Sequence, residues 1–143
     1  MSTKPDSSKM EYRYLGPTGL RVSVVSWGNW VNNSSDKLTL DSVKFCLEHG
    51  INFFDTAEVY GLGAAEISLG KAFKELGVQR EKIVVSTKIF KCGQDPNDSF
   101  LSRKHIIEGI RNSLKRLQLD YVDVIFCLFI IIIEFMLKFR IIN

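Results

Sequence analysis

The stretch GINFFDTAEVYG (residues 50–61) ends a short apolar run, Ile51, Phe53 and Phe54, in a carboxylate, Asp55. A phenol, Tyr60, follows in a polar loop bounded by glycine. A second apolar run, KIVVSTK (82–88), ends in Lys88. In parallel α/β folds the active site gathers at the carboxyl ends of the strands, so adjacent strands would bring Asp55, Tyr60 and Lys88 to one rim. That set has a chemical use. A free phenol ionises near pH ~10 and is a poor proton donor at neutrality. An ammonium beside a phenol favours the phenolate, and a carboxylate holds the ammonium in place. The phenol can then protonate a carbonyl oxygen as hydride reaches its carbon, a step worth about 10²–10⁴ in rate. On spacing alone a plainer reading stays open, in which Asp55 caps a loop and Lys88 is a surface residue.

The rest of the composition bounds the answer. The chain has 143 residues, 45% hydrophobic and 24% charged, which is one domain with a core rather than a disordered chain. Its net charge of +3 is small, and the densest basic cluster is Arg111, Lys115 and Arg116, read as a solvated helix face rather than a nucleic-acid surface. Cys46, Cys92 and Cys127 are widely spaced, with neither a disulfide framework nor a zinc-ligand spacing, so no metal is expected and reduced thiols in a cytoplasmic protein fit best. The N-terminus is polar and lacks the apolar centre of a signal peptide.

The elements that must position the three residues follow from the pattern. Residues 1–10 read as a disordered polar tail. EYRYL, GPTG and LRVSV read as a β-hairpin, and VVSWG as a strand stopped by Gly28. Asp36 is the expected N-cap of a helix carrying Leu40, Val43, Cys46 and Leu47, closed by Gly50. INFFD is a strand; Ala65, Leu69, Phe73 and Leu76 mark a helix closed by Gly77; KIVVSTK is a strand. Ser102 caps a helix whose face is Ile107, Ile110, Leu114 and Leu117, and YVDVIFC is the last strand. Alternation of strands with helices is the mark of parallel βαβ units, and the lack of GxGxxG after the first strand disfavours a dinucleotide-binding doubly wound sheet.

GINFFDTAEVYG with Glu66 and Leu69-Gly70 beyond it, STKIF, LSRKHIIEGIRNSLKRLQLDYVDVIF and YRYLGPTGLRVS together resemble the aldo-keto reductase superfamily. The wording is most similar to its voltage-gated potassium channel beta-subunit branch. The resemblance covers residues 11–127, apart from a shortened loop near Asn32–Asp36. It implies a partial (β/α)8 TIM barrel of about four βα units, plugged at its base by the N-terminal hairpin. It implies NADPH as cofactor and a small carbonyl compound as substrate. Tyr60 would be the general acid, with Lys88 and Asp55 as partners. Gly28, Asn29 and Trp30 would lie beside the nicotinamide, with Asp55 also facing its ribose; the branch usually has Thr at the Asn29 position. The same resemblance offers a potassium channel's cytoplasmic domain as an alternative partner.

The match breaks after Cys127. The family's fourth catalytic position, His or in this branch Asn, falls on Leu128, and Phe129-Ile130-Ile131 stand where Arg-Pro-Asp is usual. Leucine neither donates a hydrogen bond nor exchanges a proton. The contacts that this family draws from the second half of its barrel have no counterpart. This chain alone is therefore expected to be inactive as a reductase, and to need self-association or another protein to cover its edges. The apolar tail 128–143 reads as translated intron or a slipped reading frame in preference to a further folded element. A membrane anchor is disfavoured, because the run Val124–Ile133 has ten residues and Glu134 interrupts it, against about 20 for a spanning helix. Three functions thus stand: an NADPH-dependent reductase, a channel-associated auxiliary subunit, and a product without independent activity. His49 and His105 read as structural or exposed, Trp27 as core, and Arg103 and Lys104 as scaffold.

Overall fold

The computed structural model describes residues 9–30 and 35–127. The tail at residues 1–8 and the apolar segment 128–143, with Leu128, lie outside them. Strands β1 (Tyr12–Tyr14) and β2 (Arg21–Ser23) pair antiparallel through a turn at Gly16–Thr18. Then come β3 (Trp27–Gly28), α1 (Asp36–Glu48), β4 (Phe53–Asp55), α2 (Ala64–Glu75), β5 (Val84–Ile89), α3 (Arg103–Leu117) and β6 (Val124–Cys127). The last four strands form one parallel sheet in the order β3-β4-β5-β6, each successive pair joined through a helix. The described residues thus hold three complete βα units and the strand of a fourth.

Residues on the helix side of this sheet make the core. Phe54 and Val85, opposed in register, pack with Val43 and Cys46 of α1, Leu69, Ala72 and Phe73 of α2, and Leu117 of α3. Phe54 meets Phe73 edge-on at 5.2 Å and Trp27 at 6.2 Å, so Trp27, half-buried, packs against the core. Helix α2 can approach α3 this closely because Gly70 has no side chain. A Cβ there would lie 2.4 Å from the Leu117 carbonyl oxygen.

The hairpin is stitched to the amino end of β4. Tyr12 Oη donates to Gly50 O at 2.7 Å, Ser23 N donates to Asn52 Oδ1 at 2.8 Å, and Asn52 Nδ2 donates to Arg21 O at 3.1 Å. It therefore occupies the end of the sheet opposite Asp55, as expected of a plug at the base. Nearby, Arg80 and Asp123 join at 2.6 Å, and Asp123 also accepts from Val85 N at 2.8 Å, which docks β6 to β5.

Several local expectations change. The N-cap of α1 is Ser35, extended at φ −160, whose hydroxyl accepts from Leu38 N at 3.3 Å; Asp36 is already helical. Asp36 instead pairs with Lys71 of α2 at 2.7 Å, and that ammonium holds its carboxyl below the usual range. The strand expected over VVSWG is confined to Trp27–Gly28, with Val24 and Val25 exposed. Strand β5 runs one residue past Lys88, to Ile89. The buried ridge of α3 is His105, Gly109, Ser113 and Leu117, while Ile107, Ile110 and Leu114 are half-buried. Small and polar residues face inward there because two carboxylates lie behind β5.

Candidate active site

Side chains alternate across a strand, so residues two apart share a face. Asp55 opposes Ser86, which puts Asp55, Ser86 and Lys88 on the face away from the helices. The ladder continues past the end of β4: Thr56 N donates to Ser86 O at 3.0 Å, and Glu58 N to Lys88 O at 3.2 Å. Residues 56–58 are thereby laid alongside Lys88. Lys88 Nζ donates to Asp55 Oδ2 and, at 2.8 Å, to Thr56 O. Asp55 Oδ1 accepts from Ser86 Oγ at 2.6 Å. The side chains of Lys88 and Asp55 are 16% and 28% exposed, so the pair is shielded yet reaches the rim. An ion pair this far from water holds its geometry only with further hydrogen bonds to each partner, which Thr56 and Ser86 supply.

Tyr60 completes the group. It opens a tight turn, Tyr60–Gly63, and its ring lies under Lys88 Nζ, 4.8 Å from the centroid. Its other neighbour is Trp30, stacked at 6.0 Å with the planes 18° apart. Trp30 is 69% exposed, a flat apolar surface beside the phenol. Gly28 opposes Asp55 in register, and a Cβ there would sit 3.6 Å from Asp55 O. Asn29 is buried, and its Nδ2 donates to Ala65 O at 2.7 Å. It ties the end of β3 to the start of α2, and its Oδ1 has no partner among the described residues. Thus Asp55, Tyr60, Lys88, Gly28 and Trp30 come together at one rim, while the amide nitrogen of Asn29 is committed to the scaffold.

Sequence reading missed the supporting groups. Ser86 and Thr56 hold Asp55 and Lys88 in place. On the helix side, fully buried Glu58 accepts from Phe90 N at 2.6 Å and lies 3.0 Å from His105 Nε2. Fully buried Glu66 accepts from Thr87 Oγ1 at 2.6 Å and from Arg116 Nε at 2.6 Å. Arg116 is therefore no part of a solvated basic face, and His105 is structural. Burial pushes the Cys46 and Cys92 thiols up, so neither carries the marks of an activated thiol.

Residues 24–131 match the Aldo/keto reductase family. The chain belongs to that family. Curated relatives from Arabidopsis thaliana and from Oryza sativa subsp. japonica, each called a probable voltage-gated potassium channel subunit beta, are 53% identical over 121 residues. That alignment takes in 82% of this chain and 37% of each relative, so the chain spans a little over a third of their length. Among solved structures, an aldo-keto reductase from Bacillus halodurans in its holo form superposes with a TM-score of 0.71 at 32% identity, over 81% of this chain and 39% of that one. A glycerol dehydrogenase from Gluconobacter oxydans superposes at 0.61 with 26% identity, over 80% and 38%. The four parallel strands and their helices are accordingly part of an aldo-keto reductase (β/α)8 barrel.

The Lys88–Asp55 pair gives a direct test of this geometry. In urea unfolding of Asp55→Asn, Lys88→Met and the double variant, the two single losses are expected to be non-additive, with a coupling of about 0.5–3 kcal/mol. Strict additivity would show that the two side chains do not interact in solution.

Proposed function

We propose that Asp55, Tyr60 and Lys88 are the proton-delivering part of an NADPH-dependent site that reduces aldehydes or ketones. The observation that carries this reading is the position of Lys88, between the Asp55 carboxylate and the Tyr60 ring. Tyr60 is the general acid. Its hydroxyl has no hydrogen-bond partner among the described residues, so it is available to a substrate oxygen. As the proton leaves, the ammonium of Lys88 stabilises the phenolate that remains. Asp55, fixed by Ser86, keeps Lys88 from swinging into water.

The residues present fit the nicotinamide end of the cofactor. Exposed Trp30 offers a flat apolar face, Gly28 leaves backbone clear beside Asp55, and the Asp55 carboxylate can accept from a ribose hydroxyl. NADPH, when bound, supplies the hydride. The protein's part is to orient the carbonyl and to place the proton. Leu128, which the resemblance aligns with the family's His or Asn, carries no hydrogen-bonding group on its side chain. The 143-residue polypeptide alone is accordingly expected to consume no NADPH with aldehyde substrates.

The assignment of Tyr60 is tested by joining residues 11–127 to the remaining portion of one of the 53%-identical relatives. In that chimera Tyr60→Phe is expected to lower kcat by about 10²–10⁴-fold while leaving NADPH affinity unchanged. A kcat within a few-fold of the parent chimera would remove Tyr60 from the role.

A second reading has its own support in the names of the two curated relatives. In it, the same fold binds the cytoplasmic domain of a potassium channel. It predicts that a chain carrying residues 11–127 co-purifies with such a domain at stoichiometric yield; separation of the two on size exclusion contradicts it.

A further inference from the structure

The loop that carries Tyr60 has an unusual backbone. Gly61, Leu62 and Gly63 all take positive φ, at 57°, 53° and 92°. For a leucine that conformation costs on the order of 1–2 kcal/mol and persists only where the surroundings impose it. Both ends of the loop are held by the buried carboxylates behind the sheet. Before it, Glu58 reaches Phe90 of β5's extension; after it, Glu66 reaches Thr87 of β5. Phe90 and Thr87 flank Lys88 in the chain. Each carboxylate is met from α3, Glu58 by the His105 ring in its first turn and Glu66 by the Arg116 guanidinium in its last. Two glycines make room: a Cβ on Gly109 would lie 3.0 Å from Glu58 Oε2, and one on Gly63 would lie 2.6 Å from Arg116 Cδ.

We infer that Glu58 and Glu66 are positioning residues that set Tyr60 against Lys88, by tying the two ends of the Tyr60 loop to Phe90 and Thr87, on either side of Lys88. The catalytic meaning of this clamp rests on the proposed role of Tyr60; its geometry does not. The clamp works by reach. In Glu→Gln the side-chain oxygen still accepts from Phe90 N, or from Arg116. At Glu66 the new amide can donate to the Thr87 hydroxyl, which accepts as well as donates. Glu→Asp keeps the charge but falls a methylene short of β5. A charge-balancing role predicts the opposite order of damage.

The test uses the full chain with ¹³C-labelled tyrosine and no cofactor. The Tyr60 ring signal is identified by its loss in Tyr60→Phe, and its displacement by the stacked Trp30 ring is calibrated with Trp30→Ala. Glu58→Gln and Glu66→Gln are expected to keep the wild-type position. Glu58→Asp and Glu66→Asp are expected to move it to the Trp30→Ala position, with the amide spectrum of β5 and α3 retained. A folded Asp variant with an unmoved Tyr60 signal overturns the inference, as do Gln variants that move it as far as the Asp variants. Should the Asp variants not fold, hydrogen exchange in the wild type decides. The Tyr60 and Leu62 amides are expected to be protected within about tenfold of the Phe90 amide, and exchange more than about 100-fold faster would mean that the loop opens independently of its anchors. Neither readout involves turnover, so a failed assignment of Tyr60 as acid leaves this result standing, and the reverse holds too.

Discussion

Lys88 must be held from several sides at once, and the local structure is organised around doing so. A lysine ammonium taken largely out of water is stable only beside a carboxylate and enough acceptors. Asp55 and the Thr56 carbonyl provide them, and both come from the end of β4. That requirement fixes the β4–β5 register, since a one-residue slip would turn Lys88 toward the helices. It also explains why the ladder runs on through Glu58, past the formal end of the strand.

The period of two then divides labour between the faces of β5. Ser86 and Lys88 face the rim chemistry; Val85 and Thr87 face the helices, the first in the apolar core and the second on Glu66. Each face stabilises the other. The core of Phe54, Leu69 and Leu117 sets the height of α2 and α3 against the sheet, and those helices carry the groups that anchor the Tyr60 loop. A change that shifts α3, such as a side chain at Gly70, would be felt at Tyr60 through Arg116 and Glu66.

The sequence made the rim legible because its residues end apolar runs. Asp55 and Lys88 stand out where β-branched and aromatic stretches stop, and Tyr60 stands out beside the glycines of its loop. The four parallel strands and three helices were readable from the same alternation, and the hairpin from its Pro/Gly turn. The buried carboxylates were not. Glu58 looks like a loop residue, although Glu66 shares a helix face with Leu69 and Phe73, three and seven residues on. Counting only aliphatic residues in α3 selected Ile107, Ile110, Leu114 and Leu117, of which Leu117 alone lies on the inward ridge that recurs every four residues from His105 through Gly109 and Ser113. Buried polar partners break the hydrophobic pattern from which a core is read. Asn29 is a similar case: the family resemblance pointed it to the cofactor, and only the fold reveals its hydrogen bond to Ala65.

The most direct measurement is of the Lys88 ammonium itself, by ¹⁵N NMR of the side-chain Nζ at neutral pH. An ammonium bound by Asp55 and the Thr56 carbonyl, with the Tyr60 ring beneath it, exchanges its protons slowly. Its signal should be visible beside the bleached signals of exposed lysines such as Lys44 and Lys74, and should vanish in Asp55→Asn. A Lys88 signal lost to solvent exchange in the wild type, like those of the exposed lysines, would contradict the account at its centre.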